Sequence, residues 1–281
     1  MQIIRLIPDM QRTADALRAA GRRIGFVPTM GYLHEGHASL IRHARTRSDA
    51  VVVSIFVNPR QFGPGEDYQG YPRDLDRDLR LIRETGGDIV FIPAPEEMYP
   101  VDFTTSVHVE GLTEGLCGAS RPAHFRGVTT VVTKLFTAVK PHLAVFGQKD
   151  AQQALVIRRV VRDLNLDLEV LIAPTVREPD GLAMSSRNVY LTPEERPQAA
   201  ALYQALRLAR RMAGAGEQDA QKIIRKMRDL ISERPGARID YVSIVDTGGL
   251  KPVDRLAGEV LVAVAVRFGR ARLIDNVILN L

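Results

Sequence analysis

The chain has 281 residues, 45% hydrophobic and 25% charged, which is ordinary for a globular protein and long enough for about two domains. Lys plus Arg number 38 against 33 Asp plus Glu, a net charge of +5. That excess fits an anionic substrate, a nucleic acid or simply a solvated Arg-rich surface; with no tryptophan and no aromatic-studded basic strand, the sequence does not read as a nucleic-acid binder. One cysteine, Cys117, excludes an internal disulfide and points to a reducing, cytoplasmic setting. No base stands near Cys117 in sequence, so it reads as a packed or surface thiol. The N-terminus lacks a signal-type apolar stretch, and no apolar run approaches the ~20 residues of a membrane span.

Taken in order, Asp9 or Thr13 caps a first helix over 13–20, closed by Gly21. Residues 24–27 form a strand that ends at Pro28, and a tight turn at Gly31 leads through His34 and His37 into a helix over 38–47. Residues 50–57 are almost continuously apolar, as in a strand covered on both faces. A Gly- and Pro-rich loop follows, then a helix over 74–85 stopped by Gly86-Gly87, and a short strand over 88–92. The alternation over 104–109 predicts a strand. Residues 111–127 read as loop, 128–139 as a helix, 142–146 as a strand, 151–161 as a helix and 168–172 as a strand. Strands alternating with helices through short links predict a parallel sheet with helices on both faces. Ligands of such sheets bind beyond the carboxyl ends of the strands. From residue 176 the pattern changes: a polar loop, two helices over 193–213 and 217–234, then β-type runs over 238–245, 259–268 and 271–279, with Gly269-Arg270 as a hairpin turn.

Four polar elements fall at strand ends. His34-Glu35-Gly36-His37 lies at a helix start, where N–H donors attract anions. Its three-residue spacing is not the four-residue spacing of a zinc protease helix. The competing reading is a pair of histidines that merely caps the helix. Gly147-Gln148-Lys149-Asp150 sits at a strand-to-helix turn: Lys149 brings a point charge to an anion, and Asp150 either caps the helix or meets a ribose hydroxyl. It lacks the P-loop spacing. Met184-Ser185-Ser186-Arg187-Asn188 offers hydroxyls and a guanidinium in a polar loop that suits phosphates and equally suits a flexible linker. Asn58-Pro59-Arg60-Gln61-Phe62-Gly63 and Gln153 supply amides, each a donor and an acceptor for a small polar substrate.

Together these stretches resemble the pantoate–β-alanine ligase family, within the wider nucleotidyltransferase kinship. The resemblance is carried by Pro28-Thr29-Met30-Gly31-Tyr32-Leu33-His34-Glu35-Gly36-His37, Phe56-Val57-Asn58-Pro59-Arg60-Gln61-Phe62, Tyr71-Pro72-Arg73, His124-Phe125-Arg126-Gly127-Val128, Lys134-Leu135-Phe136, Phe146-Gly147-Gln148-Lys149-Asp150-Ala151-Gln152-Gln153 and the run from Arg177 to Asn188. The chain departs from the family's usual residues at Ala123, His142 and Gln148.

The resemblance implies a Rossmann-like ATP- and pantoate-binding domain over 1–175 and a smaller α+β domain over 176–281 that serves as a lid. It implies ATP-dependent joining of pantoate to β-alanine through a pantoyl adenylate, with release of diphosphate and AMP. Carried over residue by residue, it assigns ATP to Met30, Gly31, Tyr32, Leu33, His34, Glu35, Gly36, His37, Gly147, Gln148, Lys149, Asp150, Val176, Met184, Ser185, Ser186 and Arg187. His37 becomes the catalytic proton donor, Gln61 meets pantoate and β-alanine, and Gln153 meets pantoate. Mg²⁺ accompanies ATP, with Asp76 or Asp78 as the candidate protein ligand and no choice between them. The partners implied are these small molecules and a second copy of the chain, with no nucleic acid and no membrane. The alternative is another nucleotidyltransferase of the same superfamily acting on a different carboxylate or phosphate.

Overall fold

The five apolar runs of the first 175 residues become parallel strands of a single sheet, joined by a sixth strand at one edge. A computed structural model describes residues 1–281. The strands are β1 (Gln2–Ile4), β2 (Ile24–Thr29), β3 (Ala50–Ile55), β4 (Ile89–Phe91), β5 (Leu143–Gly147) and β6 (Glu169–Ala173), ordered β1-β4-β3-β2-β5-β6. The helices between them are α1 (Ile7–Ala19), α2 (Glu35–Arg45), α3 (Leu75–Glu84), α4 (Pro95–Met98), α5 (Cys117–Ser120), α6 (His124–Val139) and α7 (Ala151–Asp163).

Side chains along the strands alternate between two cores. Ile24, Phe26, Val52 and Phe146 pack with Met10 of α1, Val132 and Phe136 of α6 and Ile157 of α7. Val27, Val51, Val53 and Val145 pack with Ile41 of α2 and Ile82 of α3 on the other face. Both faces are covered, so the strands read as unbroken apolar runs. This is the Rossmann-like layering expected from the alternation.

The order of the sheet reverses between β2 and β5. β2 pairs with β3 over six residues, Ile24 to Thr29. With β5 it shares only the pairs Gly25–Leu143 and Phe26–Ala144. The two strands therefore part toward their carboxyl ends, which is where doubly wound sheets open a crevice for ligands.

The chain divides into two compact units: Met1–Glu110 with Arg121–Gln148 and Gln153–Pro174, and Thr175–Leu281 with Gly111–Ser120 and Lys149–Gln152. The second unit adds α8 (Glu195–Ala199), α9 (Ala201–Gly214), α10 (Ala220–Ser232) and the antiparallel strands β7 (Ala237–Asp246), β8 (Glu259–Phe268) and β9 (Ala271–Asn280). Leu202 and Leu206 of α9 and Ile223 and Met227 of α10 cover one face of this sheet. From the other face Arg272 reaches Asp240 at 2.7 Å and the Cys117 Sγ at 3.5 Å. Cys117 is buried, with its sulfur also 3.2 Å from the Tyr241 hydroxyl. Gln152 ties the two short excursions together, accepting from the Cys117 N–H and donating to the Leu112 and Gly115 carbonyls at 2.9–3.0 Å.

Several expected elements differ. The first helix starts at Ile7, six residues early, with neither Asp9 nor Thr13 as its cap. Pro8 suits a first turn, and Glu97 accepts the Ile7 N–H at 2.7 Å. Residues 104–109 are not a strand. Thr129 and Thr130 of α6 bond the Val107 carbonyl and N–H at 2.6 and 3.0 Å, so that segment's main chain is satisfied without a ladder. Helix α6 begins at His124 rather than 128, and the helix expected over 193–213 is broken at Ala200 into α8 and α9.

Candidate active site

The turn between β2 and α2 is shaped by main-chain bonds to buried side chains. Gly31 and Tyr32 both have positive φ, 84° and 51°, a conformation that strains a non-glycine residue. Asp78 of α3, 1% exposed, accepts the N–H groups of Tyr32 and Leu33 at 2.8 and 2.7 Å and holds this bend. Burial pushes the Asp78 carboxyl up, against the two N–H donors that favour its charge. Thr29 braces the start of the turn by donating to the Ser54 carbonyl at 2.7 Å.

His34 is the N-cap of α2, and His37 is the residue three positions into the helix. The His34 Nδ1 accepts from the Gly36 N–H at 3.1 Å, and the His37 Nδ1 accepts from the His34 N–H at 3.4 Å. This reciprocal arrangement is a capping box made of two imidazoles, with ring centroids 4.2 Å apart. An Nδ1 that accepts a bond leaves the neutral ring's proton on Nε2. Both rings thus carry an Nε2–H donor at the positive end of α2. The two readings of the motif are not exclusive: His34 caps the helix, and the capping itself sets the tautomers.

Gln61 lies in a 3-10 turn, Pro59–Gln61, just past β3 and is 9% exposed. Its amide is aimed by a buried relay. The Tyr99 hydroxyl donates to Asn58 Oδ1 at 2.8 Å, Asn58 Nδ2 donates to Gln61 Oε1 at 3.0 Å, and Gln61 Nε2 donates to the Met30 sulfur at 3.2 Å. Asn58 is fully buried and also donates to the Gly127 carbonyl at 3.1 Å. Burial pushes the Tyr99 hydroxyl up, so it remains protonated and a donor. At Gly127 a Cβ would collide with the Arg60 carbonyl oxygen and fall 2.7 Å from the Gln61 Cα. Only glycine lets α6 lie against the main chain that carries Gln61. Arg121 and His124 hold the Gln61 carbonyl at 3.3 and 2.9 Å, and Arg121 pairs with Glu66 at 2.6 Å. Burial opposes the charge of Glu66, but the Arg121 bonds outweigh it and keep the carboxyl below its usual value.

Gly147 ends β5, and Gln148–Asp150 forms a 3-10 turn before α7, which carries Gln153. Lys149 and Asp150 belong to the second unit and pair at 3.6 Å. The loop after residue 175 in that unit is closely bonded rather than a featureless linker. The Met184 N–H bonds the Val176 carbonyl at 3.0 Å, and Asn188 bonds Glu178 and the Ala183 carbonyl at 2.7 and 3.2 Å. Ser185 caps the short helical turn Ser186–Tyr190 by accepting from the Arg187 N–H. Arg196 clamps Glu178 and Asp180, each at 2.6 Å.

No group of three or more His, Cys, Asp or Glu side chains is placed to hold a metal ion. Both oxygens of Asp78 already serve main-chain donors, and Asp76 is exposed on α3. Asp78 is thereby occupied in holding the turn, and no group of three ligands forms around Asp76, so neither belongs to a protein-built metal site.

A family model for pantoate-beta-alanine ligase matches residues 2–278. The chain belongs to the pantoate–β-alanine ligase family. A pantothenate synthetase of Thermotoga neapolitana is 60% identical over 280 residues, 100% of both chains. That of Moorella thermoacetica is 58% identical, over 100% of this chain and 99% of its own. The solved pantothenate synthetase of Thermus thermophilus superposes with a TM-score of 0.93 at 50% identity, over 99% of each chain. The pantoate–β-alanine ligase of Francisella tularensis, solved with beta-gamma ATP and β-alanine, superposes at 0.80 with 34% identity, over 99% of this chain and 97% of that one.

In this ligase fold, Met30 to His37, Gln61, Gly147, Gln148 and Gln153 fall in the first unit, while Lys149, Asp150, Val176 and Met184 to Arg187 fall in the second. Within the first unit, Met30 and Gln61 are brought into direct contact. Asn58, Tyr99, Gly127 and Asp78 support the site from within, and none of those jobs was read from the sequence. Asn58 and Gly127 stand inside matching motifs; the signal available was an Asn-Pro step at a strand end and a glycine within a helix. Tyr99 and Asp78 carry no local signal, because their partners lie 41 and about 45 residues away.

Proposed function

We propose that this ligase condenses (R)-pantoate with β-alanine at the expense of ATP. A pantoate carboxylate oxygen bonds to the α-phosphorus of ATP as the bond to the bridging oxygen of diphosphate breaks. The β-alanine nitrogen then bonds to the acyl carbon, AMP departs with its carboxylate-derived oxygen, and the nitrogen gives up a proton. Adenylation replaces oxide, a poor leaving group, with a stabilised one, so the protein's task is orientation and charge stabilisation. His37 donates from Nε2 to the phosphate oxygens as charge shifts to the diphosphate. Met30 to Gly36 line the nucleotide. Gln61 binds pantoate and then β-alanine, and Gln153 binds pantoate. Gly147 to Asp150, Val176 and Met184 to Arg187 complete the nucleotide contacts, with Lys149, Ser185, Ser186 and Arg187 on the β- and γ-phosphates. Mg²⁺ travels on those phosphates.

The observation that carries this reading is the imidazole capping box at the end of β2. It supplies two Nε2–H donors beside a helix N-terminus, where the β2–β5 ladder opens. The test omits each substrate in turn. Diphosphate release should need pantoate, and AMP release should need β-alanine as well. Equal diphosphate release with unrelated carboxylates overturns the substrate assignment, and a nucleotide that stays on the product points to another nucleotidyltransferase. The family resemblance also supports a cytoplasmic homodimer; a light-scattering mass of one chain at working concentration would contradict the dimer.

A further inference from the structure

Strand β9 places a charge where its alternation calls for an apolar side chain. Ala271, Leu273, Val277 and Leu279 face the core of the second unit. Asp275 shares their register and is 2% exposed. Arg177 answers it with two bonds, at 2.5 and 3.0 Å. The same guanidinium donates to the Gly181 carbonyl at 3.0 Å and lies 4.2 Å over the Tyr203 ring. Burial pushes the Asp275 carboxyl up, and Arg177, then the Asn276 N–H and Lys149, act in the opposite direction. The next residue, Asn276, points to the other face of β9, is 4% exposed and donates from Nδ2 to the Lys149 carbonyl at 2.9 Å.

A buried ion pair on a core face is a poor way to add stability, since well-packed apolar residues of similar volume often do as well or better. What this pair does is geometric. Arg177 forms an isolated bridge with Ala183 at the foot of the loop that carries Met184 to Arg187. Two adjacent residues of one strand therefore hold both pieces of the second unit assigned to phosphate: Asp275 the loop, through Arg177, and Asn276 the main chain of Lys149.

We propose that Asp275 and Asn276 are positioning residues for the triphosphate of ATP, acting through the Arg177-anchored loop and through Lys149. The inference rests on the reading that Lys149 and Ser185 to Arg187 hold the β- and γ-phosphates. Asn276→Ala should raise the KM for ATP about tenfold, the equivalent of one lost hydrogen bond to a positioned group. The KM values for pantoate and β-alanine should stay within about twofold. In the Lys149→Ala background the same substitution should have no further effect on ATP, because its route is already gone. Asn276→Leu keeps the packing without the donor and serves if the alanine variant does not fold. Val277→Ala, on the same strand, should lower Tm without changing the KM for ATP, which separates positioning from general loosening of β9. Inorganic tripolyphosphate, as a competitor of ATP, should inhibit the Asn276 variants about tenfold more weakly. If Lys149→Ala leaves the KM for ATP unchanged, the phosphate reading itself fails. If Lys149→Ala raises it but the Asn276 variants do not, or the two effects simply add, the phosphate reading stands and the positioning role is overturned.

Discussion

The two regions that carry the candidate site residues are built by different means. At the end of β2, the His34–His37 turn is set by side chains that accept main-chain N–H bonds: two imidazoles at a helix N-terminus, and Asp78 receiving two more. In the second unit, the loop from Val176 to Asn188 is held by guanidinium–carboxylate pairs, Arg177 with Asp275 and Arg196 with Glu178 and Asp180. The first device meets its one buried carboxylate, Asp78, with main-chain N–H donors rather than with a cation. The second buys the shape of an irregular loop with charged side chains, one of them fully buried. A region of the second kind should be more sensitive to the loss of a single side chain.

The largest effect expected is on stability, at Arg177. Arg177→Ala leaves the Asp275 carboxyl buried without its partner, which should cost about 3–5 kcal/mol in denaturant unfolding. A loss below about 1 kcal/mol would remove the contrast between the two regions. His37→Ala tests the other side. It should lower kcat by roughly 10²–10³ while the main-chain framework keeps the fold intact, and near-normal turnover would sink the proton-donor role. His34→Ala removes one nucleotide-facing donor as well as the cap, and in denaturant unfolding it should cost about 1 kcal/mol for the lost N-cap. A smaller, pH-dependent effect is expected at His142. Its Nδ1 accepts the Ile24 N–H at 2.9 Å, and burial, with Arg18 and Arg23 nearby, lowers its pKa in the fold. The unfolded chain therefore takes up this proton first. The contribution of His142 is complete above the unfolded value near 6.5 and declines as pH falls toward the lower folded value. A pH series of Tm should show this decline in the native protein and its absence in His142→Asn, whose amide oxygen can accept the same bond.

The same contrast explains how much could be read in advance. The strands at 24–27, 50–57, 88–92, 142–146 and 168–172 were legible because a sheet covered on both faces writes itself as apolar runs between helices. The polar motifs pointed to the carboxyl end of the sheet, but not to the reversal of strand order between β2 and β5. The edge strand β1 left no such trace, being three residues long and paired with β4 across more than eighty positions. The false strand over 104–109 had the right alternation, but its main-chain bonds go to two threonines of α6. The imidazole pair was visible as spacing; that its members cap one another was not, because the bond directions depend on the turn at Gly31 and Tyr32. The assignment of Lys149 to Gln152 to the second unit was hidden for a similar reason. Its side-chain ties, from Gln152 and Asn276, reach partners 40 and 127 residues away.

The central claim is that pantoate is activated as an adenylate. It is tested most directly by running the reaction with pantoate labelled with ¹⁸O in both carboxylate oxygens and analysing the products by mass spectrometry. Attack of the carboxylate on the α-phosphorus predicts one ¹⁸O in AMP, none in diphosphate and one retained in the pantothenate amide. Label in the released phosphate or diphosphate, or unlabelled AMP, would contradict it.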